Sequence, residues 1–178
     1  MQMSHFIDRQ RDFRQACSKF ATGITVIMAK QGSEIHGMTA NAFMSVSLDP
    51  LLVAVSVSNV SQMHRYMASP DAMFTISILH SGQKLVSEIF GRRQHHPGAQ
   101  PQLAAAAGGF PVVHDAAAWF LCQKDQGIVA GDHTIIIGRV EDFGEQEHHT
   151  PLIFYRGQYF SQLGVEQDDM VEFFLLEQ

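Results

Sequence analysis

The sequence predicts a mainly β domain, an antiparallel barrel with a few helical attachments. Its 178 residues suit one domain. Hydrophobic residues make up 46% and charged residues 17% of the chain, enough apolar material to fill one core. Many short segments have the β-branched or alternating pattern of strands, and a few have helical spacing. These segments do not alternate as strand, helix, strand, which argues against a doubly wound parallel sheet.

A helix is predicted first, over residues 12–21, where apolar residues recur at helical spacing. Asp12 is its expected N-cap, and Gly23 is expected to stop it. Cys17 falls on the predicted inward face. We therefore expect it to lie in the core and not to act as a nucleophile.

Strands and two more helices follow this first helix. The strands are predicted at 24–29, 34–40, 43–48, 51–58, 73–79, 112–123, 133–143, 152–155 and 159–162. The helices are predicted at 61–68, capped by Asn59 or Ser61, and at 82–90. Residues 91–111 are predicted as a long loop and a candidate lid. The acidic tail at 165–178 is set apart from the domain at 1–164, because its apolar residues must dock on that domain or on another chain.

Charge and targeting signals limit the classes of function. The 12 Lys and Arg and 18 Asp and Glu give a net charge of −6 at pH 7, which argues against a nucleic-acid partner. Residues 1–93 alone carry +3 and can host a small anion. We expect no membrane association and no secretion, since the sequence has neither a long apolar run nor a signal peptide. Two cysteines without CxxC spacing predict a reduced, cytoplasmic protein.

Several catalytic signatures do not occur in the sequence. It has no G-x-G-x-x-G of a dinucleotide fold and no G-x-S-x-G nucleophile elbow. Gly32 and Gly37 have P-loop spacing, but Met38 stands where the lysine belongs. The histidine pairs at 95–96 and 148–149 do not present two ligands on one face. They are expected to be surface residues, and no metal site is predicted.

The most informative stretch is residues 37–50, Gly-Met-Thr-Ala-Asn-Ala-Phe-Met-Ser-Val-Ser-Leu-Asp-Pro. It predicts a strand, a polar break at Asn41 and a second strand that stops at Asp-Pro. Its small side chains leave backbone groups accessible, and hydroxyls stand at Thr39, Ser45 and Ser47. Such an edge can hydrogen-bond a flat heteroaromatic ring and a polyol chain. The alternative is a hairpin whose hydroxyls satisfy only its own turns.

Through this stretch and others in the same order, the sequence resembles the short-chain flavin reductases, the reductase components of two-component flavin monooxygenases. The other matching segments are 13–14, 20–26, 74–79, 131–134, 138–141, 151–155 and 157–159, so that the resemblance covers residues 12–162. It implies a six-stranded antiparallel split β-barrel of the Greek-key, FMN-binding type, with a few short helices, that forms a homodimer.

The resemblance also implies roles for individual residues. The isoalloxazine ring would contact Thr39, Ala40, Asn41 and Ala42, and the ribityl chain with its first phosphate would contact Ser45, Val46 and Ser47. The pocket would be completed by Ser56, Val57, Ser58, Asn59 and Ser61, with Phe90, Gly91, Arg92 and Arg93 closing over the phosphate. His133, the candidate catalytic residue, would lie on the nicotinamide side, and Tyr159 would lie beside the ring.

Four of these residues have structural alternatives. Arg92 and Arg93 can bind phosphate oxygens, or they can stand at a solvated helix end, where positive charge suits the helix dipole. Ser61 can cap a helix, and the capped N-terminus can also bind an anion. His133 can be an ordinary core or surface residue of a strand.

The function that the resemblance implies is that of an NAD(P)H-dependent flavin reductase. It would pass a hydride from NADH or NADPH to N5 of FMN or FAD and supply reduced flavin to a partner oxygenase in a transient contact. One alternative is a non-catalytic flavin-binding electron-transfer protein on the same barrel. Others are a related split-barrel enzyme, such as a pyridoxine-phosphate oxidase or cobalamin reductase, and an interaction protein with a relic pocket.

Overall fold

The computed structural model describes residues 2–91 and 98–161, with side chains from Ile7 onward. Arg92, Arg93 and the tail at 165–178 therefore lie outside the described residues. The α-helices of the described part are α1 Gln2–Cys17, α2 Gln62–Tyr66 and α3 Lys84–Gly91. Its strands are β1 Thr22–Gly23, β2 Thr25–Gln31, β3 Glu34–Ala40, β4 Phe43–Leu48, β5 Leu51–Ser58, β6 Met73–Ile78, β7 Leu103–Ala105, β8 Pro111–Val113, β9 Ala118–Ala130, β10 His133–Glu145, β11 Ile153–Tyr155 and β12 Gln158–Phe160.

The main sheet has seven antiparallel strands in the order β3-β2-β6-β9-β10-β5-β4. Six were expected, and the sheet has one more. Strands β3, β4 and β5 have the predicted bounds, because alternating apolar residues and turn residues mark both of their ends. The predicted strand at 112–123 is instead two strands, β8 and β9. The mainly β class with few helices is confirmed.

Strands β3 and β4 are the two edges of this sheet, yet only Asn41 and Ala42 separate them in sequence. The edges of a flat seven-stranded sheet would lie about 29 Å apart. The three virtual bonds from Ala40 to Phe43 span at most about 11 Å. The sheet must therefore curl until its edges approach each other at Asn41. The N–H of Ser56 donates to the Ala42 carbonyl at 3.2 Å, which ties this edge link to β5.

Two buried clusters lie on opposite faces of β2. Ile27 and Ala29 belong to one cluster, whereas Val26 and Met28 belong to the other. Successive strand side chains point to opposite faces, so β2 is buried on both sides. The first cluster includes Cys122, and burial raises the pKa of its thiol to about 12. This cysteine is a core residue.

Helix α1 differs most from the prediction. It spans Gln2–Cys17, so it begins well before residue 12 and ends before Gly23. The predicted inward face is exposed, with Phe13 at 71% and Phe20 at 78%. The expectation that Cys17 is a core residue was wrong, because it is exposed. Apolar periodicity located the helix but did not show what its apolar side contacts.

The connections also differ in detail from the prediction. Ser61 is the N-cap of α2, as predicted, and accepts from the N–H of His64 at 3.1 Å. Helix α3 begins at Lys84, after a 3₁₀ turn at Ser81–Gln83 whose N-cap is His80. The predicted loop 91–111 contains β7 and a second 3₁₀ turn in its described part. None of the helices in the described ranges has the length and apolar character needed to cross a bilayer.

A small sheet in the order β1-β11-β12 completes the part of the fold that bears on function. Thr22 of β1 pairs with Phe154 of β11. The backbone N–H of Arg156, in the turn between β11 and β12, donates to the Ser18 carbonyl at 3.0 Å. The small sheet thereby holds the β11–β12 turn against the end of α1.

Candidate functional site

A cavity of about 950 Å³ lies beside the edge link. Its walls come from the end of α1, residues 20–25, residues 41–44, residues 54–56 of β5 and the β11–β12 hairpin. Cavities that bind small molecules and cofactors commonly have this size. The point at which the curled sheet brings its edges together is therefore also a point at which the domain can take a ligand.

The cavity wall is mainly apolar, with a few polar groups. Aromatic side chains at Phe20, Phe43 and Phe154 supply flat apolar surface. Thr22 is part of the wall, and its Oγ1 is buried with no hydrogen-bond partner among the described residues. Because a buried hydroxyl is normally satisfied, Thr22 is an exception among the described residues.

Three of the residues predicted to contact flavin line this cavity: Asn41, Ala42 and Ser56. Asn41 and Ala42 form the edge link, and Ser56 is tied to that link through its backbone. The remaining predicted residues lie outside the lining or outside the described part of the chain.

The hydroxyls of β3 and β4 bond mostly to the protein itself. Thr39 Oγ1 donates to the Ser87 carbonyl at 2.7 Å, which joins β3 to α3. Ser47 Oγ accepts from the Asp49 N–H at 3.2 Å within its own turn. Only the Ser47 bond corresponds to the alternative of a hairpin that satisfies its own turns, because Thr39 bonds to α3.

The other predicted residues of this hairpin differ in exposure. Ala40 packs against the first buried cluster, and its carbonyl accepts from Thr25 Oγ1 at 2.9 Å. Ser45 and Val46 are exposed on the edge strand β4, where the pairing with β5 shifts register.

A hydrogen-bond network joins the end of β5 to the β9–β10 turn. The Asn59 side chain donates to the Gly131 carbonyl at 3.2 Å, and its backbone N–H donates to the Asp132 carbonyl at 3.0 Å. Thr134 Oγ1 donates to Asn59 Oδ1 at 2.7 Å. The Thr134 proton is thereby used, so its oxygen accepts from Nε2–H of His64 at 3.2 Å. We call this set the turn network. No sequence motif indicated the hydrogen bond that His64 makes in this network.

Three further predicted residues belong to the same region. Val57 is fully buried in the core. Ser58 pairs with His133 across β5 and β10. Ser61 caps α2, which is one of the two roles considered for it.

His133 stands at the start of β10, directly after the turn Gly131–Asp132. Its Nδ1 lies 2.8 Å from Asp132 Oδ1, and its side chain is 44% exposed. This hydrogen bond, and then the charges of His133 and Arg14, hold the pKa of Asp132 below its ordinary value. A carboxylate can only accept, so Nδ1 carries the proton and Nε2 of the neutral ring is an acceptor. His133 shares a face of β10 with Ile135, which lines the cavity, but His133 itself is not among the lining residues.

Tyr159 and Phe90 hold α3 against the sheet. Tyr159 Oη lies 3.0 Å from Ser87 Oγ, which is fully buried. A Cβ atom on Gly37 would clash with the Phe90 ring, so this phenyl ring packs directly on the β3 backbone. Gly91 ends α3. In this structure these residues position the helix whose Ser87 carbonyl binds Thr39.

Comparison with known proteins decides which family this site belongs to. The chain matches the flavin reductase like domain over residues 17–162. This protein is a member of the flavin reductase-like domain family. It is 39% identical over 150 residues to the NADH-dependent flavin reductase StyB of Pseudomonas fluorescens, covering 83% of this chain and 86% of that protein.

Two further family members give similar matches. The reductase component of 4-hydroxyphenylacetate 3-monooxygenase of Thermus thermophilus is 37% identical over 147 residues, covering 83% of this chain and 93% of that protein. The structure of the flavin reductase PheA2 in its native state superposes with a TM-score of 0.79 at 42% identity, covering 86% of this chain and 97% of that chain. The resemblance stated from the sequence is confirmed.

The structure of our protein adds cavity residues to which the sequence analysis assigned no binding role. Arg14, Cys17 and Arg156 line the cavity. Arg14 and Arg156 lie in or beside segments that match the family, at 13–14 and 151–155, so a signal was present. What sequence did not show is that α1 and the β11–β12 turn meet at Ser18.

A second polar cluster joins His80, Asp115 and His149. The two imidazole rings stack with centroids 4.1 Å apart, and Asp115 lies 2.9 Å from His149 Nε2 and 3.7 Å from His80 Nε2. Candidate metal-ligand atoms of the three residues lie within 4.8 Å of one another. However, Nδ1 of His80 accepts from the Gly82 N–H at 3.1 Å. The neutral His80 ring therefore keeps its proton on Nε2, where a metal would need a lone pair. We call this cluster the histidine latch, because it ties three separate loops together.

Proposed function

We propose that this protein is an NADH-dependent flavin reductase that supplies reduced flavin to a partner monooxygenase. The observation that carries the proposal is the cavity at Asn41 and Ala42, within the stretch that resembles flavin reductases. Its relative StyB is named an NADH-dependent flavin reductase, and the Thermus thermophilus relative is named a monooxygenase reductase component. A related reductase of Streptomyces globisporus has a structure with NAD and FAD fragments.

The described residues fit a flavin in size and chemistry. Apolar aromatic walls at Phe20, Phe43 and Phe154 suit a flat tricyclic ring. Asn41 and Ser56 offer both donors and acceptors to the polar edge of such a ring. Bound flavin would supply the hydride acceptor N5, and the dinucleotide would supply the hydride. The apolar wall excludes water and restricts the orientation of the two rings.

The part assigned to His133 follows from its tautomer. Because Asp132 takes Nδ1–H, the neutral ring offers Nε2 as an acceptor, on the face of β10 that also carries Ile135 of the cavity wall. An acceptor there can orient the amide N–H of a nicotinamide. Donation to a phosphate or a carbonyl oxygen requires the protonated ring. The contacts predicted for residues outside the cavity lining, including Arg92 and Arg93, stay part of this proposal.

The proposal extends to architecture and assembly. The seven-stranded sheet corresponds to the split barrel of the family, with its edges joined at the two-residue link after Ala40. Exposed apolar side chains on the edge strand, Met44 and Leu48, favour a homodimer. We propose one domain at 1–164 with a docking tail at 165–178. Two free cysteines are in keeping with a cytoplasmic location.

The test is an assay of the purified protein with each nicotinamide and each flavin. We expect NADH oxidation, followed by absorbance at 340 nm, that depends on added FMN or FAD. The preferred pair identifies the physiological donor and acceptor. If the oxidation of the nicotinamide did not depend on added flavin for any of the pairs, the result would contradict the proposed reductase activity. A yellow protein that retains flavin through dialysis without turnover would favour the electron-transfer alternative.

A further inference from the structure

Two arginines supply the charge of the cavity wall. Arg14 and Arg156 line the cavity, and no Asp or Glu is among the described residues that line it. The chain as a whole carries −6, so this wall is a local excess of positive charge. Arg11 and Arg139 behave differently, since they pair with nearby carboxylates, the latter with Asp125 at 2.7 Å.

Ser18 connects the backbones of the two arginines. Its N–H donates to the Arg14 carbonyl at 2.9 Å, and its carbonyl accepts from the Arg156 N–H at 3.0 Å. One helical turn and one backbone hydrogen bond therefore link Arg14 to Arg156 through Ser18. Their Cα atoms lie roughly 11 Å apart at most. Arg14 is held by the last turn of α1. Arg156 has a φ of 50° and precedes Gly157 at 79°, in a tight turn. Both side chains start from defined, neighbouring points.

Neither guanidinium is used up by a structural contact. Arg156 lies 5.4 Å from the centroid of the Tyr155 ring, and contact through its face leaves the N–H donors at its edge available. Arg14 is close enough to influence Asp132, but that carboxylate is 96% exposed and bonded to His133. Within residues 2–91 and 98–161, neither Arg14 nor Arg156 takes part in an ion pair.

We propose that Arg14 and Arg156 form a phosphate-binding subsite of the cavity. The proposal rests on the proposed function, because both substrates of a flavin reductase carry phosphate. Guanidinium groups bind phosphate oxygens through paired N–H donors and keep their charge at every working pH. The phosphate belongs to the flavin or to the nicotinamide dinucleotide. This subsite is additional to the phosphate contact that the resemblance implies for Arg92 and Arg93.

The experiment compares ligands with and without phosphate in the whole protein. Arg14→Gln, Arg156→Gln and the double variant are assayed for the KM of FMN, riboflavin and NADH. Flavin Kd values are measured separately by fluorescence titration without NADH. Loss of one charged hydrogen-bonding group is expected to weaken binding of the phosphate ligand by about tenfold, and loss of both by more. If FMN weakens while riboflavin stays within about twofold, the subsite holds the flavin phosphate. If NADH weakens instead, it holds the dinucleotide.

Two controls separate phosphate binding from a structural role. Arg11→Gln removes the same charge from the same helix at a residue outside the cavity lining, and its three KM values should match the wild type. Arg14→Lys keeps a charge and should recover part of the affinity. The proposal fails if the double variant leaves FMN and NADH unchanged, or if riboflavin weakens as much as FMN. An inactive wild type would instead contradict the proposed function.

Discussion

The turn network and the cavity wall differ in whether their polar groups have partners within the protein. In the turn network, Asn59, Thr134 and His64 bond to one another and to the β9–β10 backbone. In the cavity wall, Thr22 Oγ1 is buried without a described partner and Arg14 lacks an ion pair in the described chain. The two regions are neighbours, since His133 and Ile135 share a face of β10.

This difference separates polar groups that are matched within the fold from polar groups that are not. A buried polar group without a partner carries a free-energy cost of about 1–3 kcal/mol, which a fold seldom retains without a use. A network whose donors and acceptors are matched stiffens its region. The turn network therefore holds the turn that precedes His133, and the cavity wall carries the groups that we propose bind a ligand. Each prediction below changes one side of this comparison.

Filling the cavity should have the largest effect. Ala42→Trp places a large side chain in the lining, while its backbone carbonyl can still accept from Ser56. We expect kcat/KM for flavin to fall by at least about 100-fold, which is about 2.7 kcal/mol. The melting temperature should change little, because Ala42 is exposed. Ala104→Trp, exposed on β7 and outside the lining, is the matched control. Normal flavin kinetics in Ala42→Trp would show that the cavity is not the flavin site.

Removing the His133 imidazole should have the next largest effect. His133→Ala deletes the Nε2 acceptor but leaves the turn network in place, because that network uses backbone groups of the turn and the Thr134 side chain. We expect the KM of NADH to rise about tenfold and the Kd of FMN to stay within about twofold. Steady-state kinetics and a fluorescence titration measure the two. His148→Ala, at an exposed histidine, is the control. An unchanged KM would remove His133 from the donor site.

Local sequence patterns predicted the β-structure and the place of the cavity. Alternation and turn residues gave β3, β4 and β5 their bounds, and the break at Asn41 is the link where the sheet edges approach. These features depend on residues close together in the chain, so a local pattern can carry them. The same stretch supplied two of the three predicted flavin contacts that line the cavity, Asn41 and Ala42.

Features that depend on distant pairing could not be predicted in this way. Arg14 and Arg156 line the same cavity because β1 pairs with β11 and Ser18 bonds to the β11–β12 turn. The Tyr159 hydroxyl binds buried Ser87, a contact that no local pattern signals. The apolar spacing of α1 likewise predicts a helix, but it does not predict which part of the protein that helix packs against. Family resemblance supplied chemistry, and pairing across the sheets determined which side chains reach the cavity.

The Tyr159–Ser87 contact gives a prediction of intermediate size. Tyr159→Phe removes a hydroxyl from fully buried Ser87 Oγ. We expect the free energy of unfolding, measured by urea denaturation, to fall by about 1–2 kcal/mol. The KM of flavin should stay within about twofold of the wild type. Tyr159→Phe combined with Ser87→Ala should recover part of the loss, because both polar partners are then gone. A large rise in flavin KM with unchanged stability would instead place Tyr159 beside the ring, as the family resemblance implies.

The histidine latch should give the smallest effect, and only on acidification. Burial, and then the charge of His149, lower the pKa of His80 from its ordinary value of 6.5. The unfolded chain therefore takes up this proton first as pH falls, so the stability contributed by neutral His80 is present above pH 6.5 and is lost below it. The hydrogen bond from His149 lowers the pKa of Asp115, so its contribution is lost only in stronger acid, below its ordinary 3.8.

His80→Asn isolates this titration, because an asparagine can still accept from the Gly82 N–H as an N-cap. We expect the wild-type melting temperature to fall between about pH 7.5 and about pH 5.5 by more than that of the variant. Equal falls would assign the acid sensitivity to other groups. Throughout this pH range the KM of flavin should not change with the protonation of the histidine latch. His80, Asp115 and His149 lie outside the cavity lining. The proposed function therefore predicts that the latch affects only the stability of the fold and that the groups of the cavity wall affect binding.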